Sequence, residues 1–282
     1  MKYQSIACFT NTLLILGGFS AWEPALAQKS PVSKPRGEPT TLATMIERTR
    51  ISVVNIKATF SVPPRSLDAP TLAFEMGAGF FVNRSGDIVT VAHVLHFSDY
   101  RHVECQRTSL RAELPIKQRS TRALTFIDSD ATVVAEDRDL DLAVIRVDPK
   151  MFFTPPSKAS PVVIDPSVPR EGDMVFTLGF PYGFRTPYSS SGLVALSSEL
   201  MIDADKPPTQ PVQDSYWLDI QVTNGFSGSP AFSGESGAAL GVIRGGPTAS
   251  LATAQTIPSA VLIKFLSSHQ ISFTTAAALS DR

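Results

Sequence analysis

An all-β fold is predicted by three features of this 282-residue chain. Short segments rich in Val, Ile, Phe and Thr recur along it; Gly, Pro, Asn and Asp separate them; and no helical pattern alternates with them. The strand segments are Ser52–Phe60, Gly77–Val82, Ile88–Val91, Ala123–Ala135, Leu142–Val147, Met174–Leu178, Ser190–Leu196, Trp217–Val222, Ala231–Phe232 and Ala239–Ile243. A Rossmann-like or α/β-hydrolase sheet is disfavoured, because its crossovers need helices between strands. Two helices are expected at the margins. One is Thr41–Thr49, with Leu42, Met45 and Ile46 on one side. The other is Ser259–Ser267, where Ser259 can cap and Val261, Leu262, Phe265 and Leu266 make an apolar face. The prolines from Pro155 to Pro169 divide two strand-rich halves, and Pro207–Pro211 reads as a surface loop.

The N-terminus reads as a secretory signal. Met1-Lys2 gives a basic start, Leu13-Leu14-Ile15-Leu16 lies in the apolar core, and Ala25-Leu26-Ala27 offers small residues for cleavage before Gln28. The core is short for a bilayer span, which needs roughly 20 apolar residues, so no stable membrane insertion is expected after cleavage. The mature chain would then hold only Cys105, with no intramolecular disulfide. That thiol reads as buried filler. An exported chain without disulfides must be held by its core, which 43% hydrophobic residues make feasible. The expected organisation is signal peptide 1–27, leader and short helix 28–50, one strand-rich half 51–160, a second with the terminal helix 161–268, and a tail 269–282. A net charge of −1 gives no general attraction to nucleic acid or anionic membrane. Six Lys/Arg residues between Arg101 and Arg122 read as a solvated loop.

Three positions carry candidate chemistry. Asn224-Gly225-Phe226-Ser227-Gly228-Ser229-Pro230 sets a serine between glycines. A serine hydroxyl needs a positioned base to act as nucleophile. Flanking glycines allow a sharp turn that aims the Gly225 and Ser227 amides at one developing oxyanion. Taken alone, the segment could equally be a Gly/Ser-rich β-turn. It is not Gly-x-Ser-x-Gly, since Ser229 holds the last place. His93 follows the strand Ile88–Val91, a rigid support for a base that faces a cleft; His96, His102 and His269 lack that setting. Asp141 opens the apolar run Leu142-Ala143-Val144-Ile145 and can orient an imidazole from the interior. Asp139, two residues earlier, is its rival, in less apolar surroundings. The order His93, Asp141, Ser227 is that of the chymotrypsin-type triad, and the reading is a serine endopeptidase.

With these residues in view, the chain resembles trypsin-like (chymotrypsin-fold) serine proteases of bacterial type. It is similar to the HtrA/DegP protease domain and to the glutamyl endopeptidases over about residues 51–268. Gly77-Ala78-Gly79-Phe80-Phe81-Val82 followed by Thr90-Val91-Ala92-His93-Val94 resembles the family's Gly-Ser-Gly strand and Thr-x-x-His-Val. Asp141-Leu142-Ala143-Val144, Gly179-Phe180-Pro181-Tyr182-Gly183, Ser191-Gly192-Leu193-Val194 and Leu240-Gly241-Val242-Ile243 match further family segments. The resemblance implies two six-stranded antiparallel β-barrels with a short C-terminal helix. His93 and Asp141 would come from the first barrel and Ser227 from the second. It also implies peptide hydrolysis through an acyl-enzyme, without metal or organic cofactor, on protein or peptide substrates in the periplasm or medium.

Three departures set this chain apart. Only a short tail follows the Ser259 helix, where HtrA proteins usually carry a PDZ domain. Phe226 replaces the frequent Asn before the serine, and its ring could alter the site. Val222 and Ile243 stand where glutamyl endopeptidases place Thr and His, against strict glutamate preference. The expected substrate pocket comprises Gln221, Val222, Thr223, Ile243, Arg244 and Gly245, with Gly246 beside it. No acid there would pair with Lys or Arg, so a small or medium apolar side chain fits. Arg244 is expected in solvent; pointing inward, it would accept an acidic residue. The rival function is a catalytically inactive protease-fold binding protein of the cell envelope, with the oxyanion loop collapsed.

Overall fold

A computed structural model describes residues 41–63, 71–98, 102–117, 124–155, 157, 159–200, 214–246 and 253–280. The expected signal segment, the leader 28–40 and the Pro207–Pro211 loop lie outside them. Helix α1 (Leu42–Thr49) is capped by Thr41, whose side chain accepts from the Thr44 amide.

Seven antiparallel strands follow: β1 (Val53–Val62), β2 (Thr71–Phe81), β3 (Asp87–Thr90), β4 (Gln106–Lys117), β5 (Leu124–Asp130), β6 (Thr132–Asp137) and β7 (Leu142–Arg146). Their order is β5-β4-β1-β2-β3-β7-β6. Only Ala131 separates β5 from β6, so the expected single strand 123–135 bends at that residue. One half pairs with β4 and the other with β7. The bent strand thereby closes a six-stranded barrel. Inward-facing Ile56, Phe60, Phe80, Ile88, Leu114 and Leu142 are fully buried, each worth roughly 1.5–3 kcal/mol in apolar transfer.

Arg101, Arg119 and Arg122 lie outside the described residues; the rest of the basic stretch, within residues 106–117, forms β4 rather than a loop. Its charges sit on a pleated strand whose alternate residues Leu110, Ala112 and Leu114 are buried. Arg107 donates to the Leu95 carbonyl and Arg111 to Asp128, so both spend their hydrogen bonds within the fold. Cys105 is buried beside this strand, as expected.

Helix α2 (Pro149–Phe153) leads into the second half and packs Phe152 against Phe81 at 5.2 Å. The strands there are β8 (Val163–Ile164), β9 (Met174–Gly179), β10 (Tyr188–Leu200), β11 (Asp214–Asp219), β12 (Pro230–Ser233), β13 (Ala239–Gly245), β14 (Ala254–Pro258) and β15 (Thr274–Thr275). The order is β12-β9-β10-β11-β14-β13-β8-β15, with β12 also pairing β13. That extra pairing closes β12, β9, β10, β11, β14 and β13 into a second six-stranded ring. β8 and β15 append in parallel.

Helix α3 (Ser259–Ser268) buries Leu262, Phe265 and Leu266. Pro258, not Ser259, occupies its cap position; Ser259 lies inside the first turn. Both barrels belong to one compact unit, Thr40–Arg282.

A carboxylate of β4 ties the segment 181–188 to the first barrel. Glu113, with 4% side-chain exposure, takes Lys57 at 3.1 Å and Arg185 Nε at 2.7 Å. Arg185 also stacks over Phe126. Glu113→Gln is expected to destabilise the chain by about 1–3 kcal/mol, measured by urea unfolding. The loss is limited because Lys57 and Arg185 are 37% and 52% exposed and can rehydrate.

Candidate active site

The first barrel brings an imidazole to a buried acid. β3 ends at Thr90, whose hydroxyl donates to the Ala78 carbonyl at 2.8 Å. A short 3-10 turn, Ala92–Leu95, then carries His93. Its Nδ1 lies 2.9 Å from Asp141 Oδ2 and 3.1 Å from Oδ1, and its backbone amide donates to Oδ1 at 2.9 Å. The Ala92 amide donates to the Asp141 carbonyl. One carboxylate therefore fixes both the ring and the turn that bears it. The Asp141 side chain is 8% exposed, whereas Asp139 is exposed on the preceding turn. Asp141 also takes a positive φ of 56°, a left-handed conformation that aspartate tolerates better than most residues.

Burial pushes the Asp141 carboxyl up, but the His93 ring and amide, with the Arg244 charge, hold it below its ordinary value. A depressed carboxyl contributes stability above the ordinary value of 3.8, and that contribution is lost as pH falls through the folded value. Asp141→Asn should therefore flatten part of the stability loss below about pH 4, measured by urea unfolding at stepped pH.

The second barrel presents the serine turn. The Ala78 amide donates to the Ser227 carbonyl at 2.7 Å, docking the turn on β2. Gly77 permits this approach: a Cβ there would lie 2.6 Å from Val94 Cγ2 and 2.8 Å from the Ser227 carbonyl. Gly225 has φ 99°, and a side chain on it would strike the Phe180 carbonyl. Among the described residues, neither the Gly225 nor the Ser227 amide donates a hydrogen bond to the protein. Two unpaired donors beside one hydroxyl can receive a developing negative charge. The Phe226 ring turns away from the cleft, is 5% exposed, and packs against Gly179 in the second-barrel core. It anchors the turn by burial.

The Ser227 hydroxyl donates to the Arg244 carbonyl at 3.2 Å, and among the described residues no hydrogen bond joins it to His93. Arg244 Nε donates to Asp141 Oδ2 at 3.2 Å. The expectation of a solvated Arg244 is therefore corrected: opposite charge draws it to the acid beside His93. A 590 Å³ cleft is lined by His93, Asp141, Arg244 and Gly245, together with Arg138, Trp217, Gly246 and Gln255.

Of the expected pocket residues, Ile243 is fully buried in the second-barrel core, Val222 and Thr223 are half-buried, and Gln221 is exposed. None of these four lines that cleft. Ile243 faces inward because the pleat of β13 alternates its side chains. Arg138, Trp217 and Gln255 were missed. Trp217 and Gln255 face each other across the β11–β14 ladder, a pairing without a local sequence signal. A second cavity, 390 Å³ beside α1, has Arg48 as the single ionisable lining group among the described residues, which offer no acid–base pair there.

The chain is similar to known proteins in sequence and in fold. Residues 77–242 match the family described as trypsin-like peptidase domain. The chain is similar to the chloroplastic protease Do-like 1 of Arabidopsis thaliana, at 29% identity over 63% of this chain and 34% of that protein. It is also similar to the mitochondrial serine protease HTRA2 of Bos taurus, at 28% identity over 77% of this chain and 42% of that protein. It thus spans roughly a third to two fifths of the length of these relatives. The crystal structure of a serine endoprotease from Yersinia pestis shares its fold, with a TM-score of 0.55 at 20% identity, covering 82% of this chain and 67% of that one. With the family matched across both barrels, from the Gly77 strand to the strand behind Ser227, the chain belongs to the trypsin-like peptidase domain family.

Proposed function

We propose that the chain is an exported serine endopeptidase that cleaves protein or peptide substrates through Ser227, His93 and Asp141. The observation that carries this reading is the His93–Asp141 pair, at 2.9 Å, on the barrel against which the Ser227 turn docks. The Ser227 hydroxyl leaves the Arg244 carbonyl, gives its proton to His93 Nε2 and attacks the scissile carbonyl carbon. The Gly225 and Ser227 amides stabilise the oxyanion. His93 then protonates the departing amine, leaving an acyl-enzyme on Ser227. Water, deprotonated by His93, releases the acid product. Asp141 holds the ring's tautomer and stabilises the imidazolium.

The first barrel would occupy residues 51–160, the second with its helix 161–268, and residues 1–27 would direct export to the periplasm or medium. Val222 lies outside the cleft but next to its wall, since a Cβ on the cleft residue Gly246 would lie 3.4 Å from it; this apolar neighbour supports a preference for a small or medium apolar side chain. A second reading, an inactive binding protein, draws on the Ser227–Arg244 hydrogen bond that turns the hydroxyl from the base.

Incubation of the purified chain with a peptide library decides between them. Cleavage by the parent that vanishes in Ser227→Ala supports the enzyme; no cleavage by either supports the binding protein.

A further inference from the structure

Arg244 stands where three parts of the proposed machinery meet. Its carbonyl accepts from Ser227 Oγ, and its Nε donates to Asp141 Oδ2, the oxygen that also takes His93 Nδ1. One residue of β13 thus touches the nucleophile with its main chain and the acid with its side chain. From this geometry we infer that Arg244 is a positioning residue whose guanidinium fixes Asp141 and offsets that carboxylate's pull on a protonated His93. It thereby extends base-competent His93 to lower pH. The inference rests on the triad reading given above.

An ionised carboxylate against an imidazole favours the imidazolium, which cannot act as a base. A cation sharing the same carboxylate oxygen opposes that effect. With 36% exposure of Arg244 the opposition is partly screened.

Among the described residues, the other charged groups facing the ring are Glu75 on β2 and Arg138 between β6 and β7. Glu75 is pushed up by burial and drawn down by His93. Arg138 lines the same cleft but is held by Glu104 at 2.8 Å and Glu136 at 3.1 Å. Both stay unchanged in any Arg244 variant and cancel from the comparison. Glutamine at position 244 removes the charge. Lysine keeps it but loses the directed Nε–H.

The test compares Arg244→Gln, Arg244→Met and Arg244→Lys with the parent chain. The first readout is the rate of fluorophosphonate labelling of Ser227 from about pH 5 to about pH 9. Both neutral variants should move the acid limb upward by about half to one unit. Lysine should restore the midpoint with a plateau roughly 3- to 10-fold below the parent. The second readout, independent of turnover, is the NMR titration midpoint of the His93 ring on a Ser227→Ala background. It should shift by the same amount.

Lower rates with unmoved midpoints in both neutral variants would mean a merely structural Arg244 and would overturn the inference. Failure of the protease reading has a different signature. The parent would not label at all, while a shifted His93 midpoint in the neutral variants would still uphold the electrostatic role of Arg244.

Discussion

Ser227→Ala and His93→Ala are each expected to lower peptide hydrolysis by on the order of 10⁵–10⁶, with the double variant little worse than either. The near-equality is the informative part. A hydroxyl without a base and a base without a hydroxyl fail for the same reason, since proton removal and attack are one event. Residual activity should survive in both, because the Gly225 and Ser227 amides remain to stabilise the oxyanion. Folding should be intact. Ser227 docks through its carbonyl on the Ala78 amide, and the His93 amide bond to Asp141 does not involve the imidazole. Single-turnover assays with matched urea midpoints check the claim. Independent, multiplying losses in the double variant would contradict a shared proton transfer.

Asp141→Asn is expected to cost on the order of 10⁴ in turnover, while Asp139→Asn should be almost silent. Asparagine keeps the shape of the carboxylate and can still accept from the His93 amide. It turns a donor toward Nδ1, however, and forces the wrong tautomer. The loss should therefore appear in kcat rather than KM. The Asp139 carboxylate sits exposed on the turn before β7, where its charge is screened by water. A crippled Asp139 variant beside an active Asp141 variant would reverse the assignment of the acid.

Much of the fold was legible because its signals are local. Apolar alternation marks β1 and a continuous apolar run marks β7, and turn residues mark the strand boundaries. The register that closes each barrel is not local. The run bends into β5 and β6 at Ala131, whose N–H donates a hydrogen bond to the carbonyl of Leu110, 21 positions earlier. β4 is hard to see in the sequence because Arg107, Arg111 and Lys117 interrupt it, while the buried partners Leu110, Ala112 and Leu114 show through only as alternation.

In the site, Gly225-Phe226-Ser227-Gly228 and Asp141-Leu142-Ala143-Val144 announce themselves because tight turns and buried strand starts demand those residue types. Arg244 does not. Its partner Asp141 lies 103 positions away, and nothing near Arg244 in the chain shows that a carboxylate awaits it. The sequence does not reveal the direction of the Phe226 ring, and so leaves open that it alters the site. Its burial against Gly179 makes it an anchor for the turn.

The most direct measurement of the central claim is mass spectrometry of the chain after reaction with a fluorophosphonate. The account predicts one adduct, on Ser227, formed by the parent and suppressed in His93→Ala. An unmodified Ser227 at saturating reagent, or an adduct on any other residue, would contradict it.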